Sequence, residues 1–359
     1  LTIDIDIQKI IQEELKAICN KSDAKSANAI LMNPHNGDII AMSSYPEFNP
    51  NKYNEYSIDS YKNRVISESY EPGSTLKIVP LALALDSDIS TLQDSFYCEN
   101  GKYKLTNNLW LHDHEEHGEL SLEEIMIYSS NIGFSKLSDS FKNKILFKYL
   151  KYFGFGTKTF IPLANEEKGT IRNLSNWSTT SKKYISIGQE ISITNLQLAL
   201  AYSAIANNGY LVKPNIIKKI HKNKIEKKYI VNKYIRKVIS KETAQSILST
   251  LNEVTKTGTA KDINLKGYKI AGKTGTAQKS INGEYTKFIS TFASIFPSDN
   301  PEYVLIVTID EPKYGYHWSS MSAVPASKEI IKKMIIANED LHYAVTNNNQ
   351  QNAKETNKN

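Results

Sequence analysis

The stretch Ala27-Asn-Ala-Ile-Leu-Met-Asn-Pro-His-Asn-Gly-Asp-Ile-Ile-Ala-Met-Ser43 decides how the rest of the chain is read. Two apolar runs flank Asn36-Gly37, a dipeptide that favours a tight hairpin turn, so two adjacent strands are expected here. Upstream, Ile7, Ile10, Ile11, Leu15 and Ile18 recur at helical spacing, with Asp6 as the expected cap. Strand-like periodicity returns only after residue 265. Gly267-Tyr-Lys-Ile-Ala-Gly272 leads into Lys273, and the runs Phe288–Phe296 and Tyr303–Ile309 follow, separated by the turn-forming Pro297–Pro301. The intervening segment, roughly 74–250, reads as helical. Within it Thr194 and Gln197 form a capping box ahead of LQLALAYSAIA. A lysine-rich stretch, KKIHKNKIEKKYIVNKYIRK, reads as a solvated loop or hairpin face. A last helix is expected at about 326–338.

The fold class expected is therefore α/β: a five-stranded, mainly antiparallel sheet flanked by helices, with an inserted all-α lobe and a cleft where the lobes meet. The domain is expected to span 1–344. The polar tail 345–359, VTNNNQQNAKETNKN, is expected to be disordered because it has too little apolar surface to offset the entropy of ordering.

Bulk composition excludes several classes of function. With 359 residues, 40% of them hydrophobic, the chain can bury a substantial core. No run approaches the eighteen apolar residues of a membrane span, and the opening residues do not read as a signal peptide. The chain opens on Leu1, so a piece of a longer protein is expected, with an anchor upstream. The net charge of +6 comes almost wholly from lysine; Arg64, Arg172 and Arg236 are the only arginines. That argues against a nucleic-acid partner, since base and phosphate recognition leans on arginine forks. Cys19 and Cys98 are too few for a disulfide framework.

Three short motifs carry candidate chemistry. In Glu71-Pro-Gly-Ser-Thr-Leu-Lys77, Pro-Gly makes a turn and a helix is expected to begin near Ser74, with a kink at Pro80. Ser74 and Lys77 then share a helix face, the serine near the positive end of the dipole and the lysine one turn on. Lys77 can serve as a base only when neutral, which requires burial or a neighbouring cation to lower its pKa from about 10.4. In Tyr128-Ser-Ser-Asn-Ile-Gly133, a loop between two helical patterns presents Ser129 and Asn131 two residues apart. A hydroxyl can relay a proton and an amide can bind a substrate amide, although taken alone this reads as a polar interhelical loop.

The third motif, KTGTA, occurs twice, at Lys256–Ala260 and Lys273–Ala277. The first copy follows a helical pattern, and Gly258 reads as an ordinary helix C-cap. The second follows strand residues, with Gly272 and Gly275 where a ligand or another strand can approach closely. The second copy is the candidate.

Taken in order, SxxK, SxN and KTG form the signature of β-lactamases and penicillin-binding proteins. Up to about residue 338 the chain resembles the transpeptidase domain of class B penicillin-binding proteins, nearest the cell-division FtsI type. The resemblance also covers LTIDIDIQ, ANAILMNPHNGDIIAMSSYPEFNPN, NRVISESYEPGSTLK, SSNIGFSKL, SIGQEISITNLQLALAY, GYKIAGKTGTAQK and VTIDEP. It departs at Leu76, where the family usually has Phe, at Pro80, and at His317-Trp-Ser-Ser320, where glycines are usual.

The resemblance implies a septal peptidoglycan D,D-transpeptidase. Ser74 is the implied nucleophile, Lys77 its base and Ser129 a proton relay. Asn131 is implied to hold the acyl-chain amide, and Lys273, Thr274 and Thr276 to bind the donor's terminal carboxylate, with Gly275 in the same substrate-binding strand. Backbone N–H groups of Ser74 and Thr276 would make the oxyanion hole. The implied partners are stem peptides (a D-Ala-D-Ala donor and an amine acceptor), β-lactam antibiotics, and membrane-bound cell-division proteins reached through parts outside this chain. The implied location is the periplasmic face of the inner membrane, and no metal or organic cofactor is implied. A β-lactamase, or a penicillin sensor without transfer activity, would carry the same motifs. His112-Asp-His-Glu-Glu-His117 resembles a metal-ligand set but reads as a polar loop, and Glu166 and Glu167 read as structural loop residues rather than a water-activating base.

Overall fold

The computed structural model describes residues 1–222, 225–228, 234–281 and 284–337. The expected tail at 345–359 and part of the lysine-rich stretch lie outside these residues. In chain order the elements that position the site are α1 (Ile5–Ser22), β1 (Ser26–Met32), β2 (Ile39–Tyr45), a 3-10 turn (Gly73–Lys77), α2 (Ile78–Asp86), α3 (Leu122–Ile127) and α4 (Asn131–Leu137). They continue with α5 (Asn195–Ala206), α6 (Lys241–Lys256), β3 (Ala271–Ile281), β4 (Glu284–Phe296), β5 (Tyr303–Asp310) and α7 (Ala323–Ala337).

The five strands form one sheet in the order β3-β4-β5-β1-β2, antiparallel throughout. The early hairpin is present, but its connection runs from Asn33 to Asp38 rather than turning on Asn36-Gly37 alone. The Asn33 carboxamide oxygen accepts the N–H of His35 at 2.9 Å, so an Asx turn organises a longer loop. Helix α1 is capped one position pair earlier than expected: Asp4, not Asp6, accepts the N–H groups of Asp6 and Ile7.

Helices cover both faces of the sheet. α1 and α7 lie together on one side, and α5 packs against β1, β4 and β5. Every residue of α5 is buried, as its unbroken apolar composition demands. Its expected capping box is formed by Thr194 and Gln197. The inserted lobe, expected as wholly helical, also carries short ribbons, among them Ser95–Tyr97 with Glu119–Ser121 and Lys102–Thr106 with Leu109–His112. The lysine-rich stretch likewise pairs Lys219–Lys222 with Ile225–Lys228 antiparallel.

The segment around Ser74 departs from a simple helix start. Gly73–Lys77 is a 3-10 turn that runs directly into α2. Pro80 therefore falls in the first turn of the α-helix proper, where its missing N–H leaves no bond unmade, and no kink is required. Three groups clamp this turn. Tyr202 of α5 donates its hydroxyl to the Thr75 carbonyl at 3.0 Å. The Gly73 N–H donates to the Gly188 carbonyl at 3.1 Å, and Glu71 accepts the N–H of Glu190 at 2.9 Å. Gly188 has φ +84°, and a Cβ there would stand 1.9 Å from the Gly73 carbonyl oxygen, so only glycine permits the strap.

From the sheet side the turn is pressed against β3. A Cβ on Gly275 would lie 2.7 Å from the Pro72 oxygen and 2.8 Å from Thr75 Cγ2. What approaches Gly275 is thus the 3-10 turn. Overpacking of this kind costs about 1–3 kcal/mol, so Gly275→Ala should lower stability by that amount in urea unfolding. Gly118→Ala, whose Cβ would meet nothing closer than 3.8 Å, serves as the control. It should stay within about 0.5 kcal/mol of the parent protein.

Candidate active site

The 3-10 turn, the α3–α4 connection and the start of β3 converge at the junction of the lobes. In a 3-10 turn side chains at i and i+3 eclipse, so Ser74 and Lys77 stand one above the other. Ser74 is half-buried. Lys77 and Lys273 are each 0% exposed, which makes them two of the largest fully buried side chains in the protein.

Both lysines reach Ser129. Lys273 Nζ donates to Ser129 Oγ at 2.7 Å, and Lys77 Nζ to the same oxygen at 3.3 Å. Lys77 Nζ also donates to the Ser129 carbonyl at 2.7 Å and to Asn131 Oδ1 at 2.8 Å. The Phe134 ring lies 5.4 Å from the same ammonium. Four of the residues singled out in the sequence, Lys77, Ser129, Asn131 and Lys273, thus form one hydrogen-bonded network. Ser74 sits beside it, and among the described residues no hydrogen bond engages its hydroxyl.

Burial sets the electrostatics. Removing Lys77 from water pushes its pKa down to about 7, while the carboxylate of Asp113 pulls the other way. Lys273 is held well below the ordinary lysine range, first by burial and then by the charge of Lys77. Burial is the largest cause for both lysines, and the repulsion between two ammonium groups this close further disfavours protonating both at once. A buried lysine near neutrality is suited to take and return a proton at physiological pH.

The remaining sequence candidates occupy distinct places. Ser129 adopts φ +61°, a left-handed conformation that L-residues avoid, and this turns its hydroxyl toward the two lysines. Thr274 is turned away from the network: its hydroxyl meets that of Thr259 at 2.8 Å. Thr259 belongs to the first KTGTA copy, so that copy packs against the second. Lys256 is half-exposed and pairs with Glu253 at 2.6 Å. Gly258 does not act as a left-handed cap; a Cβ there would stand 2.5 Å from the Ile127 carbonyl oxygen, so close packing on α3 accounts for the glycine.

On the sheet side, Thr276 Oγ1 accepts the Ser319 N–H at 3.2 Å, and Ser319 Oγ donates to the Gly275 carbonyl. Ser319, found where a glycine is usual, thus ties down the strand at Gly275-Thr276. The neighbouring Trp318 ring meets His114 at a centroid distance of 4.5 Å, so the rims of the two lobes touch there.

The His112–His117 loop supplies a residue that sequence reasoning missed. Asp113 turns inward: its Oδ1 accepts the N–H groups of Asn131 at 2.5 Å and Ile132 at 3.0 Å, and its Oδ2 accepts the Ser130 hydroxyl. The His112 carbonyl accepts Asn131 Nδ2 at 3.0 Å. These partners lie 17 to 19 residues apart in sequence, so no local spacing signals them. Glu166 is buried and accepts the N–H groups of Thr159 and Phe160 at 2.6 and 3.1 Å. Both of its oxygens hold the loop together, in keeping with a structural role.

Comparison with known proteins agrees with this geometry. The penicillin binding protein transpeptidase domain matches residues 27–332. Stage V sporulation protein D of Bacillus subtilis is 34% identical over 92% of the chain, and the peptidoglycan D,D-transpeptidase FtsI of Buchnera aphidicola (subsp. Schizaphis graminum) is 32% identical over 93%. The chain spans only 52% and 57% of these two relatives. The crystal structure of penicillin-binding protein 3 from Mycobacterium tuberculosis complexed with ampicillin superposes with a TM-score of 0.86 at 29% identity, over 93% of this chain and 77% of that one. The clustered SxxK, SxN and KTG side chains and these likenesses lead to one conclusion: the chain belongs to the penicillin-binding protein transpeptidase family.

Proposed function

We propose that this domain is a serine D,D-transpeptidase of peptidoglycan synthesis, acting on the extracytoplasmic side of the membrane, in septal wall assembly. The observation that carries the reading is the fully buried Lys77, held near neutrality beside Ser74 and bonded to Ser129.

Ser74 Oγ attacks the carbonyl carbon of the penultimate D-alanine and gives its proton to Lys77 Nζ. Backbone N–H groups of Ser74 and Thr276 receive the developing oxyanion; the close approach of Gly73 to the Thr276 carbonyl brings these two segments together. The peptide C–N bond then breaks, and Ser129 Oγ hands its proton to the departing nitrogen of D-alanine while taking up the one held by Lys77 Nζ. An amine of a second stem peptide attacks the ester, and Ser74 recovers its proton. Asn131 holds the acyl-chain amide. Lys273 and Thr276 receive the donor's terminal carboxylate, and Thr274 supports the strand through Thr259.

The lysine pair gives this sequence a trigger. An arriving carboxylate favours the charged form of Lys273, and that charge disfavours a second proton on Lys77. Substrate binding thus leaves the base in its reactive, neutral state. β-Lactams present the same carboxylate and a strained amide, so they acylate Ser74.

Peptide mapping after incubation with benzylpenicillin should find the penicilloyl group on the peptide containing Ser74, and Ser74→Ala should take up none. Label on Ser129 or Ser130 would contradict the assignment. The adduct should persist, and a donor thioester should yield a transfer product with an added D-amino acid. Rapid release of hydrolysed drug would instead indicate a β-lactamase. Lys273→Ala removes a charge-assisted hydrogen bond and should slow acylation by about tenfold to about a hundredfold. Lys256→Ala should acylate at the parent rate, since Lys256 lies at the surface with its ammonium paired to Glu253.

A further inference from the structure

Among the described residues Asp113 is the one carboxylate hydrogen-bonded to the SxN turn, and the mechanism above makes no use of it. Helix α4 begins at Asn131, and its first N–H groups need partners from outside the helix. Ser130 satisfies one, accepting the Gly133 N–H at 2.9 Å. Asp113 satisfies the next two, those of Asn131 and Ile132, and also fixes the Ser130 hydroxyl. The adjoining His112 carbonyl holds Asn131 Nδ2, which leaves Oδ1 facing Lys77. The loop at 112–113 therefore controls both the backbone and the side chain of Asn131. Two residues before Asn131 stands Ser129, in a left-handed conformation it would not choose unaided.

We propose that Asp113 is a positioning residue for acyl transfer: its carboxylate fixes the Ser129–Asn131 turn against Lys77 and acts on the reaction through those groups. The proposal rests on the acyl-transfer reading of Ser74, Lys77 and Ser129 given above.

A second consequence follows from charge. The charged groups facing Lys77 are Lys273 from β3 and Asp113 from the loop; Ser129, Asn131 and Phe134 are neutral. Asp113 favours the protonated form of Lys77 against desolvation. Acylation needs neutral Lys77, so its rate rises with pH through the Lys77 titration. Removing the Asp113 charge lets Lys77 lose its proton at lower pH, which moves the acid limb of the profile downward.

The experiment is the second-order rate of acylation by benzylpenicillin between pH 5 and 9, with thermal melts, for the parent protein, Asp113→Asn and Asp113→Glu. Asp113→Asn should lower the plateau by about tenfold, the loss of a hydrogen bond to a charged group, and shift the acid limb to lower pH. Asp113→Glu keeps the charge but not the reach, so its limb should stay in place while its plateau falls. A folded Asp113→Asn with the parent's plateau and an unmoved limb would overturn the proposal. Should that variant not fold, a folded Asp113→Glu acylating at the parent rate would overturn it equally. Failure of both variants to fold would assign Asp113 to the scaffold alone, again overturning it. If the parent protein itself is not acylated, the transpeptidase reading fails, and this inference with it.

Discussion

Two lysines with no solvent exposure converge on one serine hydroxyl, and the rest of the structure serves to make that arrangement tolerable. Burying an ammonium group is costly unless it is hydrogen-bonded or gives up its proton. Here both happen: Lys77 has three oxygen partners, and desolvation lowers the proton affinity of both lysines. The groups that accept these hydrogen bonds must in turn be rigid. Ser129 is held in an unfavourable backbone conformation, Asn131 is anchored by the loop at 112–113, and the 3-10 turn is clamped by Tyr202, Gly188 and β3. Strain of this kind at a site is sustained only when the surroundings over-determine it.

The sheet and the buried helix α5 supply that rigidity. α5 reaches under the 3-10 turn from its place against β1, β4 and β5, so the turn that carries Ser74 rests on the same helix as the centre of the sheet. The two KTGTA copies show the same economy of packing. The second stands on β3 and sends Lys273 into the network. The first ends α6 and gives Thr259 to Thr274, buttressing the strand from outside. One local sequence thus has two environments, and burial alone separates a lysine at the centre of the site from one on the surface.

Features whose partners are near in sequence were legible. The hairpin strands, the Thr194–Gln197 capping box, the three late strands and the spacing of Ser74 to Lys77 all follow from local periodicity and turn chemistry. Context alone also told the two KTGTA copies apart. Features set by distant partners were not. Asp113 lay inside a stretch that resembled metal ligands, and only folding brings it to α4. Thr274 looked equivalent to Thr276 until Thr259 took its hydroxyl. Gly275 and Gly258 signalled close approach or a cap, but what approaches is the 3-10 turn in one case and the Ile127 carbonyl in the other. The lowering of the Lys77 pKa by burial was legible as a requirement of the chemistry, but the carboxylate from the facing loop that opposes it was not.

The central claim is that the lysine pair does not carry two protons at neutral pH. It is tested most directly by NMR of side-chain-labelled lysine, following the Cε and Nζ resonances of Lys77 and Lys273 through a pH titration, with Lys77→Met and Lys273→Met for assignment. The account predicts that Lys77 titrates near 7 and Lys273 well below the ordinary lysine range, with each midpoint moving up when the other lysine is replaced. Two resonances that both remain in the protonated form up to about pH 10, the ordinary lysine range, would contradict it.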